Sequence, residues 1–272
     1  MNPTENYRLK KRLEIAKYVS DELKKFDNVK MVALTGSCAI GCPTEQSDID
    51  FQVAFGATPD AAELKNIRKR LLRKYGRCRQ NKSISIGEVF ALTIEGIDVS
   101  IFYGKAEDFK RVAFCGDTIG KEGESSLSVY YDMIPLYDSL NICGYIRDHF
   151  EYTDEKQREI TAKKIARIKD LFNYEALKIS GNSLMFLKYK YEIIENIVDI
   201  IYSINKRPKR MVNDFAFMGD RLRFYPTYLL PCLNTLASEN ETDAFNRQAK
   251  ELLIKIADDS SIEMLKQAIE YL

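Results

Sequence analysis

Apolar positions recur at both strand and helical spacing up to about residue 125, and at helical spacing beyond it. Leu9, Leu13, Ala16 and Leu23 stand at helical spacing between charges, which predicts an amphipathic helix over 4–26. Residues 30–35 and 48–55 read as short strands on either side of a loop containing Gly41 and Pro43. Thr58-Pro59 and Gly76 bracket a helix over 60–75 that would bury Leu64, Ile67, Leu71 and Leu72. Residues 83–94 and 97–103 then form two strands of a hairpin about the turn Glu95-Gly96. In the second strand the period of two puts Ile97, Val99 and Ile101 on one face and Asp98 and Ser100 on the other.

The stretch from Cys115 to Tyr131 contains Gly116, Gly120, Gly123 and three serines, and reads as a loop or hinge. After Asp138 the pattern is helical over 139–150, 154–180 and 183–204, with shorter pieces to Leu272 broken by Pro208, Pro226 and Pro231. The expected fold class is α+β in two domains. Residues 1–125 would form a mixed sheet of at least four strands with its flanking helices on one face, and residues 126–272 an all-α helical bundle.

Composition narrows the chemistry. With 45% hydrophobic and 30% charged residues the chain has the balance of a folded protein. A net charge of +1 argues against a non-specific partner such as nucleic acid or an anionic membrane. The single histidine, His149, removes multi-histidine zinc sites. Six cysteines form no C-x-x-C pair, and charges interrupt every apolar run before the ~18 residues a membrane span needs. The chain reads as cytoplasmic, with reduced thiols and no membrane contact.

The candidate chemistry lies in Gly36-Ser37, nine further residues, and Ser47-Asp48-Ile49-Asp50. Two acids two positions apart on a strand project from one face, and carboxylates held close repel unless a cation neutralises them. Hard oxygen donors of this kind suit Mg²⁺ or Mn²⁺, which complete their shells with water and substrate phosphates. If the strand bearing Asp98 neighbours the first, a third carboxylate joins, and three acids could hold two metal ions for in-line phosphoryl or nucleotidyl transfer. A glycine ending a strand lets backbone N–H groups approach a phosphate, with the serine hydroxyl as a further donor.

On Gly36, Ser37, Gly41, Ser47, Asp48, Asp50 and Asp98 the sequence resembles the DNA polymerase β-like nucleotidyltransferase superfamily over about residues 28–104. The more specific resemblance is to the branch with a helical C-terminal domain, which includes kanamycin and lincosamide nucleotidyltransferases. Met133–Ser139 is similar to the segment that links the two domains there. The resemblance implies metal-dependent transfer of a nucleoside monophosphate, AMP by preference, from an NTP such as ATP to a hydroxyl of a small-molecule acceptor. It implies Asp48, Asp50 and Asp98 as catalytic and metal-binding residues, Gly36, Ser37 and Ser47 as nucleotide-binding residues, and the bundle as the acceptor-binding domain. Relatives take a carboxylate base from the first long helix of the second domain, for which Asp170 and Glu175 are the candidates. Where relatives carry a basic residue after Gly-Ser, this chain has Cys38 and Ile40, so the triphosphate needs another cation.

Other features read as structural. Tyr189, Tyr191 and Tyr202 flank Ile193, Ile194, Ile197, Ile200 and Ile201 as bundle core, and the arginines and lysines over 68–79 read as a solvated helix face. The alternatives to a small-molecule acceptor are a protein side chain, an RNA 3′ end, or a non-catalytic nucleotide-binding protein. A monomer and a homodimer are both compatible with the sequence.

Overall fold

In the computed structural model, which describes residues 3–78, 82–83, 88–115, 124–178, 183–210, 212–260 and 262–269, the chain divides into two units with the boundary between Glu151 and Tyr152. Seven strands form the sheet of the first unit. They are Val29–Thr35 (β1), Ile49–Phe55 (β2), Gly76–Cys78 (β3), Lys82–Ser83 (β4), Glu88–Ile94 (β5), Ile97–Lys105 (β6) and Ile134–Asp138 (β7). Their order is β3-β5-β6-β2-β1-β7, with β4 paired to β5. The β2–β6 pair is parallel and the others are antiparallel, so the sheet is mixed. Residues 79–81 and 84–87 of the expected hairpin strand, and the glycines of 116–123, lie outside the described residues.

One face of this sheet carries the core. Val32 and Leu34 of β1, Ile49, Phe51 and Val53 of β2, and Val99 and Ile101 of β6 are buried there. Two helices pack on that face, Pro3–Leu23 (α1) and Ala61–Tyr75 (α3). Helix α3 begins where predicted, because the Asp60 carboxylate accepts the N–H of Glu63 at 2.7 Å as an N-cap. In α1 the buried stripe is Ile15, Ala16, Val19 and Leu23, while the expected core residue Leu13 is exposed. Lys65, Lys69 and Arg73 of α3 are exposed as expected, while two of its arginines are drawn in. Arg70 pairs with Glu22 and Arg68 lies over the Phe90 ring. The β5–β6 turn needs left-handed backbone at both Glu95 (φ 50) and Gly96 (φ 81), as a type I′ hairpin does.

Helices also lie on the opposite face, where the sequence suggested only one helical layer. Ala106–Arg111 (α4) contacts β2 and β6, and Thr35 at the end of β1 donates its hydroxyl to Val129 O of Glu124–Tyr131 (α5) at 3.2 Å. The helical part therefore begins later than residue 126. Residues 134–138 form an edge strand paired with β1, and the Asp138 carboxylate then caps Ile142–His149 (α6) by accepting the N–H groups of Ile142 and Cys143. Ile142, Cys143 and Ile146 are buried. What reads as a linker and a first bundle helix is the sheet's last strand and one of its packing helices.

The second unit is helical, with Asp154–Lys178 (α7), Ser183–Ile204 (α8), Leu229–Ser238 (α9), Thr242–Ser260 (α10) and Glu263–Ile269 (α11). Ile193, Ile197, Ile200, Ile201, Tyr189 and Tyr202 are core as expected, whereas Tyr191 is exposed because it stands on the other side of α8. Two polar features hold the helices in register. Asp199 is buried between Lys164 and Lys209, and although burial works against the Lys209 ammonium, the Asp199 carboxylate keeps its pKa above the usual value. Lys190 donates to Ala237 O (3.0 Å) and Glu239 O (2.6 Å), closing the end of α9. Lys190→Met keeps the apolar stem and leaves those carbonyls unpaired, and should cost about 1–3 kcal/mol. Thermal denaturation reads it, and an unchanged midpoint would show that the two bonds contribute nothing.

Candidate active site

The C-terminal end of β1 and the start of β2 meet through a short path. Thr35 pairs with Asp50 in the β1–β2 register, so the residue after Thr35 lies against the Asp50 side chain. That residue is Gly36, with φ +66, and a Cβ built there would stand 2.5 Å from Asp50 Oδ2. A side chain at position 36 would occupy the space beside the carboxylate. Gly36 opens the short helix Gly36–Ile40 (α2), which ends at Gly41 with φ +82. Cys38, Ala39 and Ile40 bury the apolar side of this turn, leaving Gly36 and Ser37 half-exposed.

The acids lie on the face of the sheet away from the α1 and α3 core. Asp50 stands opposite Ser100 in the parallel register, and the Ser100 hydroxyl lies 3.4 Å from Asp48 Oδ2. Burial, and after it the charge of Asp48, push the Asp50 pKa up from 3.8 to about 7. Asp98 lies one position before Val99, the residue that pairs with Ile49, and it accepts a hydrogen bond from Thr93 Oγ1 at 3.0 Å. Among the described residues no three His, Cys, Asp or Glu side chains form a group that could hold a metal ion. The structure thus brings Asp48 and Asp50 together and sets Asp98 on the adjacent strand, turned to Thr93.

Two half-buried carboxylates side by side, the charge of Asp48 adding to burial in raising the proton affinity of Asp50, are a donor set that fits a divalent cation, since Mg²⁺ uses one or two carboxylates and takes its other ligands from water and phosphate. Asp48 and Asp50 would hold it. Ser47 has a different local role. Its hydroxyl accepts the Thr44 N–H at 2.8 Å and meets Thr44 Oγ1 at 3.0 Å, closing the turn that leads to Asp48.

Sequence reasoning missed Arg12. Its guanidinium is buried and donates to the carbonyls of Glu45 and Ser47, immediately before Asp48. A charged residue within the apolar stripe of an amphipathic helix was the available signal. Thr93 and Ser100, which touch the acids, carried none, because pairing alone puts them there. Cys38 donates its thiol to Asp48 O at 3.5 Å, and burial raises that thiol's pKa to about 11, so it is a packed, protonated neighbour.

In the second unit, Asp170 is exposed and lines a groove of about 280 Å³ between α7 and α8, beside Met185, Tyr189 and the Arg167–Glu192 ion pair. Glu175 is on α7, but its side chain lies outside the described set. Among the described residues, Cys38, Cys42, Cys115, Cys143 and Cys232 form no disulfide. Among the described residues no helix is long and apolar enough to cross a membrane.

Residues 14–83, which run from the second half of α1 through the Gly36-Ser37 turn, Asp48, Asp50 and α3, match the nucleotidyltransferase domain family. That match supports the polymerase β-like nucleotidyltransferase superfamily, enzymes that transfer nucleotides, for the part of the first unit it covers. No curated protein matches the chain. Among solved structures, a nucleotidyltransferase-like protein from Exiguobacterium sibiricum 255-15 is similar over 95% of this chain and 80% of its own, at 10% identity and a TM-score of 0.37.

Proposed function

We propose that the protein moves a nucleoside monophosphate, AMP by preference, from an NTP to a hydroxyl of a small-molecule acceptor, in a Mg²⁺- or Mn²⁺-dependent reaction. The observation that carries this reading is the pairing of Asp48 and Asp50 beside a glycine whose missing side chain leaves room at Asp50 Oδ2. A divalent cation bound there would neutralise charge building on the triphosphate oxygens. Asp48 and Asp50 would hold that cation, and the N–H groups at Gly36 and Ser37 would bind the more distal phosphates. Asp98, one strand over, is a third acid for the same site and a candidate to take the acceptor's proton. The acceptor oxygen forms the bond to the α-phosphorus and pyrophosphate leaves. Asp170, exposed in a groove of the helical unit, is the other candidate base, and the helical unit is the proposed acceptor-binding domain.

The test is incubation with Mg²⁺ and each α-labelled NTP, with and without hydroxylated acceptors. Label should move to an acceptor from one NTP and should stop with chelator or with Asp48→Asn. Asp170→Asn should lower kcat with that acceptor about 10²-fold if it is the base, the typical worth of a positioned proton acceptor. Unchanged kcat in that variant removes Asp170 and leaves Asp98 and Glu175. Label transfer that is indifferent to Asp48 would remove the assigned site, and label moving to protein or RNA alone would replace the small-molecule acceptor.

A further inference from the structure

We infer that Arg12 is a positioning residue for Asp48, an inference that rests on the metal-dependent reading of the Asp48–Asp50 pair. Arg12 is 4% exposed, in the first helix, 36 positions before the acid it serves. An arginine is rarely withdrawn from water without a set of acceptors to receive it. Here Nε donates to Ser47 O at 3.1 Å, and Nη2 donates to Ser47 O at 2.8 Å and to Glu45 O at 3.0 Å. The Ser47 carbonyl belongs to the peptide unit that ends at the Asp48 nitrogen. Two donors on one carbonyl and a third on a carbonyl two residues earlier fix the plane of that peptide and the direction in which the chain enters Asp48.

The rest of the loop depends on this anchor. Ser47 and Thr44 close a turn on each other, which shapes the loop without tying it to the sheet. Cys38 reaches the Asp48 carbonyl from the far side. Asp48 lies just before the first residue of β2, and its carboxylate meets the Ser100 hydroxyl at 3.4 Å. The guanidinium fork holds the backbone that leads into Asp48, at the cost of burying a charge. The ammonium of a lysine is a single point and cannot serve both carbonyls with the same geometry.

The experiment measures binding of Mn²⁺ alone, by electron paramagnetic resonance, to the full chain and to Arg12→Gln and Arg12→Lys, with Asp48→Asn identifying the site. Disturbing a group that orients a metal ligand typically lowers affinity about 10- to 100-fold. Arg12→Gln should show that loss, and Arg12→Lys a smaller one in the same direction. In turnover the Mg²⁺ concentration for half-maximal rate should rise by a similar factor, with kcat at saturating Mg²⁺ within a few-fold of the parent. A lower melting temperature with unchanged Mn²⁺ affinity in Arg12→Lys would make Arg12 a purely structural residue and overturn the inference alone. A parent protein that binds Mn²⁺ Asp48-dependently yet transfers no label would overturn the transferase reading while the Arg12 comparison still decides its own case. A parent that binds no Mn²⁺ overturns both.

Discussion

Asp50→Asn is expected to abolish nucleotidyl transfer, by about 10³-fold or more, while making the metal-free protein more stable at pH 8. The two effects come from one fact. Burial and the Asp48 charge raise the Asp50 pKa from 3.8 to about 7, so the folded chain holds this proton more tightly than the unfolded chain. The stability contributed by that proton is complete below about pH 4 and is lost as pH rises through about 7. At pH 8 the parent carries an ionised, half-buried carboxylate beside another, and the neutral amide does not. The gain is at most about 4 kcal/mol, and less once the solvent reaching a half-buried group is counted. Thermal melts in chelator at pH 4 and pH 8 measure it. The variant and parent should converge at pH 4 and separate at pH 8. Mg²⁺ should raise the melting temperature of the parent but not of the variant. A variant that is less stable than the parent at pH 8 would mean that Asp50 is a paired structural acid, and full activity would remove it from the site.

Gly36→Val carries the second large effect. A Cβ at this position meets Asp50 Oδ2 at 2.5 Å, and φ +66 is a conformation that a β-branched residue avoids. The obstructing atom is the end of a side chain, so Asp50 can rotate away, and the fold survives at a cost of about 1–2 kcal/mol for the backbone. What does not survive is the carboxylate's position. A displacement of about 1 Å at a reacting centre costs on the order of 10²-fold in rate, and the added methyls also fill the space through which a phosphate would approach. The expected result is a variant that melts a few degrees lower, with transfer reduced at least 10²-fold and not restored by saturating Mg²⁺. Gly36→Ala should follow in the same direction with a smaller loss. A valine variant with full activity would show that neither the room at Gly36 nor the position of the Asp50 carboxylate matters.

The sequence by itself determined the elements with strong local periodicity and the residues whose type and spacing carry chemistry. The alternation of Ile97, Val99 and Ile101 with Asp98 and Ser100 follows from the pleat, which places Val99 and Ile101 in the core. The Gly36-Ser37 turn and the Asp-x-Asp pair were legible because only glycine tolerates the conformation and contact required, and because two adjacent acids are costly without a purpose. Tertiary structure alone decided three other matters. Residues 134–138 became the edge strand of the sheet because β1 offers unpaired backbone there, and proline is tolerated at an edge. That pairing moved the boundary between units to residue 151, because a five-residue strand has too little periodicity to announce itself. The fate of the charges was also non-local. Arg12 was drawn inside by carbonyls more than 30 positions away, and Asp98 was turned to Thr93 by the hairpin register. Local pattern reports which residues can be buried, and only the partners brought by the fold decide which charged ones are.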